Sequence, residues 1–402
     1  MDKSAGPASD RIEVVDALRG FALLGILLAN ILVLSGWELL TDAQRIALAG
    51  AETTEWQRRA HHFFIDGKFY TIFSLLFGAG FALQIERLSR RGADGLRIFR
   101  RRMLILLGFG LVHSWLIWDG DILTLYALMG LLLPFVRGWR DRQLLLAAFV
   151  LIFVVPVVGI ALFKALGWAP HQILFALSDR MALSLGAINP SDGVTWLRRT
   201  DFWGWFSFVM SGPAFAWALK LQSWRIPKVL GIMILGTWLG RRLSNGQILG
   251  DRKLLWRVMT VGLLIGIPAN LFYALRPGLW QADWPSLVGT VPLGLAYAAG
   301  FALAWPGGKR WLSVFAWPGR MALTNYLMHS IVSVVTFYGF GFGQIGYWPP
   351  SAFYVFAVTL YAAQIAFSYW WLTSHAQGPM EALWRRWTYA GNQPLTAGHK
   401  AR

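Results

Sequence analysis

Long apolar runs, separated by short charged breaks, organise the whole chain. Most of these runs hold about 20 residues, which is the length that a helix needs to cross a lipid bilayer. They are continuous rather than alternating, and this excludes a β-barrel. We therefore predict an all-α, polytopic integral membrane bundle. The runs occupy residues 17–36, 67–86, 103–118, 121–137, 143–166, 203–221, 226–240, 254–275, 285–305, 320–340 and 351–373.

The positions of Lys and Arg in short loops predict the orientation of these runs. The connection 88–102 holds six Arg against one Asp and is predicted to be cytoplasmic, whereas 38–66 holds three Arg against five acids and is predicted to lie outside. The run 203–221 contains a Ser-Gly-Pro break at 211–213, which favours a re-entrant or interfacial path. We therefore predict about ten transmembrane helices with both termini cytoplasmic. Eleven helices remain the alternative.

A single domain is predicted, because no linker or shift in composition separates a soluble one. Residues 1–10 are predicted to be a disordered tail, and residues 11–375 a single transmembrane helical domain. Within that domain, residues 167–225 are predicted to form a periplasmic or interfacial segment. Residues 376–402 are predicted to form a cytoplasmic amphipathic helix and tail.

Composition agrees with the membrane prediction. The chain has 402 residues, of which 56% are apolar and 14% are charged, against about 25% charged residues in a soluble domain. Its net charge is +17, but the Lys and Arg residues lie in loops between apolar runs, so we predict a topology signal and no nucleic-acid partner. There is no Cys, which excludes disulfides, Cys–metal sites and Cys-linked intermediates. No metal site is predicted.

The stretch Arg11–Gly36 combines an apolar span with a few polar side chains. Asp16 and Arg19 are three residues apart, so they can pair on one helix face. Asn30 follows Arg19 by eleven residues and returns to within about 20° of that face. An interfacial ion pair and an Asn bonded to a neighbouring helix are the simplest interpretation. Polar groups at membrane depth are costly, however, and are usually functional.

Histidines near the predicted outer surface are candidates for a general base. His113 is expected one to two turns below that surface, close to Asp119 and Asp121, either of which would orient the imidazole and raise its basicity. The alternatives are a His bonded to a backbone carbonyl and acids that cap the following helix. His61 and His62 lie just outside the second run. At a headgroup layer, such histidines are also simply hydrated.

Two further groups of polar residues are candidates. Asn325 and His329 are four residues apart and share a helix face. An arginine cluster before the third run has two interpretations, either contact with the phosphates of a coenzyme A donor or a cytoplasmic topology signal alone. Its members are Arg97, Arg100, Arg101 and Arg102.

Motifs spread over nearly the whole chain resemble those of the YeiB-type bacterial inner-membrane proteins. The resemblance implies a multi-pass protein of the bacterial inner membrane, in a family filed under unknown function. The motifs are R-x-x-x-x-D-x-L-R-G-F-A-L-L-G-I-L-x-x-N from Arg11, KF-x-x-x-FS-x-LFG-x-G-F from Lys68, G-L-x-H with G-D-I-L from Gly110, G-R-x-A-L-T-N-Y-L from Gly319 and G-P-x-E-x-x-W-R from Gly378.

More distantly, the chain resembles the membrane-integral acyltransferases, which include the bacterial O-acyltransferases and the lysosomal heparan-α-glucosaminide N-acetyltransferase. That resemblance implies transfer of an acyl group from cytoplasmic acyl-CoA, a co-substrate rather than a bound cofactor, to a hydroxyl or amine of an envelope or lipid-linked acceptor. The lipid bilayer is then the surrounding partner, and a homodimer is an open alternative.

The resemblance also implies roles for the candidate residues. His113, or the pair His61 and His62, would take the acceptor proton, because the O-acyltransferases carry a His where this chain has Asn30. The remaining polar residues would orient substrate or stabilise negative charge on the carbonyl oxygen. They are Arg19, Asn30, Asn325, Asp16, Asp119, Asp121 and His329.

A transporter or flippase for a small or lipid-linked substrate is the alternative function. Transporters often contain broken helices at the membrane midplane, and only the segment 203–225 suggests one here. Few ionisable residues are expected at the midplane, so ion coupling has no obvious relay.

Overall fold

The computed structural model describes residues 7–90, 92, 94–187, 189, 192–244 and 250–390, and no β-strand occurs among them. The all-α prediction is confirmed. The helix α1 begins at Pro7, inside the predicted N-terminal tail. Residues 1–6 and 391–402, which the sequence assigns to the two tails, lie outside the described residues.

The first half of the chain forms eleven α-helices within the described ranges. A π-helical turn at His61–Ile65 leads from α3 towards α4, and another at Val150–Val154 joins α7 to α8. The helices are α1 (Pro7–Leu34), α2 (Asp42–Ala49), α3 (Ala51–Ala60), α4 (Lys68–Arg90), α5 (Gly95–Leu116), α6 (Leu123–Leu132), α7 (Asp141–Phe149), α8 (Val155–Leu166), α9 (His171–Ser184), α10 (Gly193–Leu197) and α11 (Phe202–Gln222).

Seven more α-helices follow in the described part of the second half. They are α12 (Arg225–Ser244), α13 (Arg252–Leu275), α14 (Trp284–Leu312), α15 (Ala316–Arg320), α16 (Ala322–Phe337), α17 (Pro350–Ser374) and α18 (Pro379–Tyr389). Short 3₁₀ turns lie at Trp37–Leu39, Leu133–Val136 and Ser313–Phe315.

Six helical stretches are long and apolar enough to cross a membrane, and two shorter apolar helices accompany them at 123–136 and 322–337. The number of candidate spans among the described residues is therefore lower than the ten predicted. The six stretches are Glu13–Leu39, Ala51–Arg90, Asp141–Leu166, Arg252–Leu275, Trp284–Arg320 and Pro350–Ser374.

The segment 203–221 is helical throughout, so the break expected at its Ser-Gly-Pro sequence does not form. Pro213 lies inside the 21-residue helix α11. Neighbouring helices often re-satisfy the backbone around a proline in this way. The helix α11 also packs against α9, where the Ser178 hydroxyl donates to the Ser211 carbonyl at 3.2 Å.

The helix α1 lies at the centre of the bundle and packs against α4, α14, α15, α16 and α17. Its backbone touches that of α15 and of the 3₁₀ turn before it. A Cβ on Gly20 would lie 1.9 Å from the Phe315 carbonyl oxygen, and one on Gly319 would lie 1.8 Å from the Asp16 backbone carbonyl oxygen. Small residues permit such close crossings in membranes. The stretch Arg11–Gly36, which combines an apolar span with polar side chains, therefore also lies in the core of the fold.

Other helices lie at the periphery and face outward with large apolar side chains. In the most apolar window of Asp141–Leu166 only 22% of the residues are buried, against 61% in the window of α1. Leu264 and Val355 are 70% and 65% exposed. Because exposed apolar surface on this scale is unfavourable in water, it is the surface that lipid would cover.

The arginine-rich elements gather at one end of the bundle, which we call the basic face. It is formed by the starts of α1 and α5, the end of α4, and α18. The predicted ion pair is confirmed here, with Arg19 Nη1 2.8 Å from Asp16 Oδ1. The Trp384 indole of α18 donates to the Arg102 carbonyl at 2.9 Å and thereby fixes α18 across the start of α5.

A matched pair of glycines in α5 tests the close packing of α5 against α6. A Cβ on Gly110 would lie 2.5 Å from the Thr124 backbone nitrogen, whereas a Cβ on Gly108 would meet nothing within 4 Å. We expect Gly110→Ala to destabilise the protein by about 1–3 kcal/mol through overpacking. Gly108→Ala should be neutral or stabilising by up to about 1 kcal/mol. Thermal unfolding in detergent measures both, and equal behaviour of the two variants would contradict the crossing.

Candidate functional site

Three buried side chains from α5, the α5–α6 turn and α16 form a hydrogen-bonded row, which we call the histidine row. His113 Nδ1 lies 3.0 Å from Asp121 Oδ1, and His113 Nε2 lies 2.9 Å from Ser330 Oγ. The exposed fractions are 0% for His113 and Asp121 and 1% for Ser330. The chain thus brings residues 113 and 330, far apart in sequence, into direct contact.

Asp121 is fixed by the beginning of α6. Its Oδ1 accepts from the Leu123 backbone N–H at 3.0 Å, and its Oδ2 accepts from the Thr124 N–H and hydroxyl at 2.7 and 2.6 Å. Acidic residues are favourable at a helix N-terminus. The two roles weighed for this residue, a helix cap and a partner of His113, are therefore both present.

The arrangement assigns the tautomer of His113. Because the Asp121 carboxylate accepts hydrogen bonds, Nδ1 carries the proton and donates it to Asp121. Nε2 is left with a lone pair, which accepts the Ser330 hydroxyl. A hydroxyl, a base and a carboxylate in this order are the arrangement that activates an oxygen nucleophile.

Two aromatic residues border the histidine row. The Tyr326 ring lies 5.3 Å from the His113 ring, and its hydroxyl accepts from the Ile122 backbone N–H at 3.2 Å. Trp118 packs edge-on to His113, with ring centroids 6.3 Å apart. The Trp118 indole N–H is buried and has no acceptor within the described part of the chain. Both aromatic rings therefore pack against the imidazole.

A cavity of about 550 Å³ extends into the bundle from the basic face. Its far end is lined by Ile122, Leu123, Tyr126 and Tyr326, which adjoin Asp121 and His113. Its walls are mostly apolar, and its volume falls in the range of small-molecule sites. The cavity thus extends from the basic face to neighbours of the histidine row, whose members His113, Asp121 and Ser330 do not themselves line it.

Five arginines from five different elements line this cavity. They are Arg19, Arg87, Arg102, Arg320 and Arg385. Glu381, the one acid among the described lining residues, accepts from the Leu323 and Thr324 N–H groups and from the Thr324 hydroxyl, and so caps α16. The mouth of the cavity is therefore strongly basic.

The sequence identified only part of this arginine set. Among the cluster proposed from the sequence, Arg102 lines the cavity, donates to Gln84 at 3.1 Å and stacks on Trp384. Arg97, Arg100 and Arg101 are exposed and do not line it. Only one face of α5 reaches the cavity, so the arginines that neighbour Arg102 in sequence point away from it.

His61 and His62 belong to a separate polar cluster at the start of α4, at the end of the bundle opposite to the basic face. Its centre is Asp66, whose two carboxylate oxygens accept from the Tyr273 hydroxyl and the Gln281 amide, both at 2.7 Å. His62 Nδ1 lies 3.4 Å from Asp66. His61 Nδ1 lies 3.4 Å from the Tyr354 hydroxyl.

The same cluster contains an excess of positive charge. Lys68 and Lys228 are 0% and 3% exposed, and they lie in the first turns of α4 and α12, two helices that pack together. Arg225 donates to Gln281 at 2.6 Å. The Lys228 ammonium makes no ion pair with any described residue. Cations at helix N-termini oppose the helix dipole, so this cluster is costly in stability.

The remaining predicted residues lie outside the histidine row. Asn30 is half-buried, one turn beyond the cavity-lining Ile26. Asn325 donates to the Ser368 hydroxyl at 3.0 Å, and His329 donates to Gln364 Oε1 at 2.7 Å, so both tie α16 to α17.

Asp119 is half-buried beside the row and packs against Gly212 of α11. Lys220, also on α11, is close enough to Asp119 and Asp121 to interact with both carboxylates. Asp16 is engaged with Arg19 at the basic face. Among the described residues, no group of three or more His, Asp or Glu side chains is arranged to hold a metal ion.

Fold and site together define a polytopic α-helical membrane protein with a polar site between its helices. Residues 239–391 match the family described as "Protein of unknown function (DUF418)". The chain is 30% identical over 400 residues to "Uncharacterized protein YxaH" of Bacillus subtilis (strain 168), with 96% of each chain covered. It is 29% identical over 423 residues to "Uncharacterized protein YeiB" of Escherichia coli (strain K12), covering 96% of this chain and 98% of that one.

A third relative, "Uncharacterized 39.9 kDa protein in amylase 3′ region" of Bacillus acidopullulyticus, is 31% identical over 398 residues, with 96% of each chain covered. No solved structure matches the chain. The chain belongs to the YeiB-like family, which confirms the resemblance seen in its motifs.

The cationic cluster provides a stability prediction. We expect Lys228→Met to stabilise the protein by about 1–4 kcal/mol, because a methionine fills similar space without a buried charge. Lys253→Met, at an exposed position, is the control and should change little. Thermal unfolding in detergent measures both. A destabilised Lys228→Met variant would mean that the ammonium is stabilised by its surroundings.

Proposed function

We propose that the protein is a membrane-embedded acyltransferase. It moves an acyl group from a cytoplasmic acyl-thioester, acyl-CoA, to a hydroxyl or amine of an envelope or lipid-linked acceptor. The observation that carries the proposal is the arginine-lined cavity whose far end adjoins the histidine row. The family relation is compatible with this activity but does not itself assign one.

The basic mouth of the cavity suits the phosphates of the donor. Guanidinium groups bind phosphate through charge-assisted and often bidentate hydrogen bonds. Along α5, Arg102 and His113 are eleven residues apart, which is about 16 Å at the helical rise. The pantetheine arm separates the phosphates of coenzyme A from its thioester by a comparable extended length. Phosphates at the arginines would therefore bring the thioester towards His113.

The histidine row suits the chemistry of transfer. His113 acts as the general base that removes a proton from the attacking oxygen or nitrogen, and the proton then passes to the departing thiolate of coenzyme A as the C–S bond breaks. Asp121 stabilises the imidazolium that forms in between. Tyr326 and Trp118 offer hydrogen-bond donors to the carbonyl oxygen, a role that the sequence had assigned to Arg19, Asn30 and Asn325.

The topology that accompanies this function is the one predicted from the loops. We propose about ten spans in the bacterial inner membrane, with both termini and the basic face in the cytoplasm. The arginine-rich connection 88–102 supports that orientation. The donor would then enter from the cytoplasm, and residues 167–225 would lie on the periplasmic side with the acceptor.

Changes to the arginines at the mouth test donor binding. We expect the double variant Arg87→Gln/Arg385→Gln to raise the KM for acetyl-CoA at least about 10-fold, since each charge-assisted bond contributes about 1.5–3 kcal/mol. The matched control is Arg97→Gln/Arg100→Gln, which removes two exposed arginines outside the cavity. Coenzyme A release in nanodiscs measures both. With S-acetylpantetheine, which lacks the nucleotide, the first variant should match the wild type.

Replacement of the histidines tests the base. We expect His113→Gln to lower acetyl-CoA turnover about 10²–10⁴-fold in nanodiscs supplied with a bacterial total lipid extract. His375→Gln, at an exposed position between α17 and α18, is the control. Undiminished turnover in His113→Gln, together with loss in His61→Gln or His62→Gln, would move the base to the cluster at Asp66. Uptake of solutes into proteoliposomes without any thioester would favour the transporter alternative instead.

A further inference from the structure

The Ser330 hydroxyl makes an unusual contact for a serine inside a helix. Ser and Thr side chains in this protein commonly bond to a carbonyl of their own helix, as Thr336 does with Val332 and Thr237 with Met233. Ser330 Oγ instead contacts His113 Nε2 of another helix at 2.9 Å. Its hydroxyl is therefore available to the imidazole and is not consumed by the local backbone.

The imidazole is arranged to take the serine proton. Asp121 holds the Nδ1–H of His113, so Nε2 faces Ser330 with its lone pair. Asp121 in turn accepts from the Leu123 and Thr124 N–H groups. The backbone of α6 thus orients Asp121, Asp121 orients His113, and His113 faces Ser330. This is the geometry of an activated nucleophile.

Ser330 lies one helical turn from the arginine-lined cavity, although it is not itself a lining residue. Tyr326 lines that end, precedes Ser330 by one helical turn on the same face of α16, and contacts the His113 ring. Within the described residues, the Trp118 indole N–H has no acceptor although it is buried against His113. The two rings lie 6.3 Å apart, centroid to centroid, so a buried donor without a partner lies in the neighbourhood of the histidine row.

We propose that Ser330 is a covalent catalytic residue that carries the acyl group as an ester between donor and acceptor. This inference rests on the proposed acyltransferase function and adds an acyl-enzyme to it. The structure's histidine row would then serve two half-reactions, one with each substrate.

The two steps balance without a further reactant. In the first step, Ser330 Oγ bonds to the acyl carbon, the C–S bond breaks, and the serine proton passes through His113 to the sulfur of coenzyme A. In the second step, the acceptor hydroxyl or amine bonds to the same carbon, the Ser330 ester bond breaks, and the acceptor proton passes through His113 back to Ser330 Oγ. The donor can therefore leave before the acceptor arrives.

The covalent step is testable without knowledge of the acceptor. Purified full-length protein in nanodiscs is incubated with acetyl-, octanoyl- or palmitoyl-CoA, and free coenzyme A and the intact protein mass are followed. We expect a burst of coenzyme A equal to the amount of protein, and a mass increase of one acyl group on the peptide that contains Ser330.

Variants separate this step from binding and folding. Ser330→Ala should lose the adduct and about 10³-fold of the turnover, while it retains its melting temperature and its affinity for the donor. Ser330→Cys should carry a thioester that neutral hydroxylamine removes. Ser333→Ala, one turn further along α16 and also buried, is the matched control and should be acylated like the wild type.

The possible failures are distinguishable. If Ser330→Ala turns the donor over within a few-fold of the wild type, or if the wild type consumes donor with no adduct, His113 acts directly on the acceptor and the covalent role of Ser330 is wrong. The acyltransferase function then still stands. If the wild type neither binds nor consumes any of the three thioesters, the proposed function fails and the role of Ser330 fails with it.

Discussion

The candidate site depends on the hydrogen bonds that the Asp121 carboxylate accepts. This carboxylate accepts hydrogen bonds from the backbone N–H groups at the start of α6 and from the Nδ1–H of His113, so the same group fixes a helix end and an imidazole. In a buried, apolar setting, a carboxylate without these donors would be severely destabilising. The close crossing of α5 and α6 at Gly110 brings His113 and the start of α6 together, and the row is formed there.

Much of the fold follows from local properties that the sequence displays directly. Apolar runs of sufficient length give the helices, and the spacing of Asp16 and Arg19 gives their ion pair. His113 and Asp121 are separated by only eight residues around one turn, so their proximity was predictable. The continuous helix through Pro213 was not, because a proline is a local signal and the packing of α11 against α9 is a contact between distant parts of the chain.

The rest of the site depends on contacts that no local pattern reveals. Ser330 and Tyr326 lie in an apolar helix, where the sequence alone cannot distinguish a functional serine or tyrosine from one that only packs. Their contacts with His113 become visible only where α16 crosses α5. The arginines of the cavity come from five elements, so the conspicuous cluster at 97–102 contributes only Arg102. Asn30 lies on the same helix face as Arg19, but three helical turns separate the two residues along the axis.

The walls of the cavity draw on residues from Arg19 to Tyr389. During biosynthesis, helices that insert one after another would remain an open set of spans until α18 reaches Arg102 and Glu381 reaches the start of α16. A ribosome-bound or truncated chain that stops before Pro379 therefore lacks a finished chamber. Such a nascent chain would reside in the membrane with this cavity incomplete, so a ligand of the cavity would bind the complete helix bundle and not its precursors.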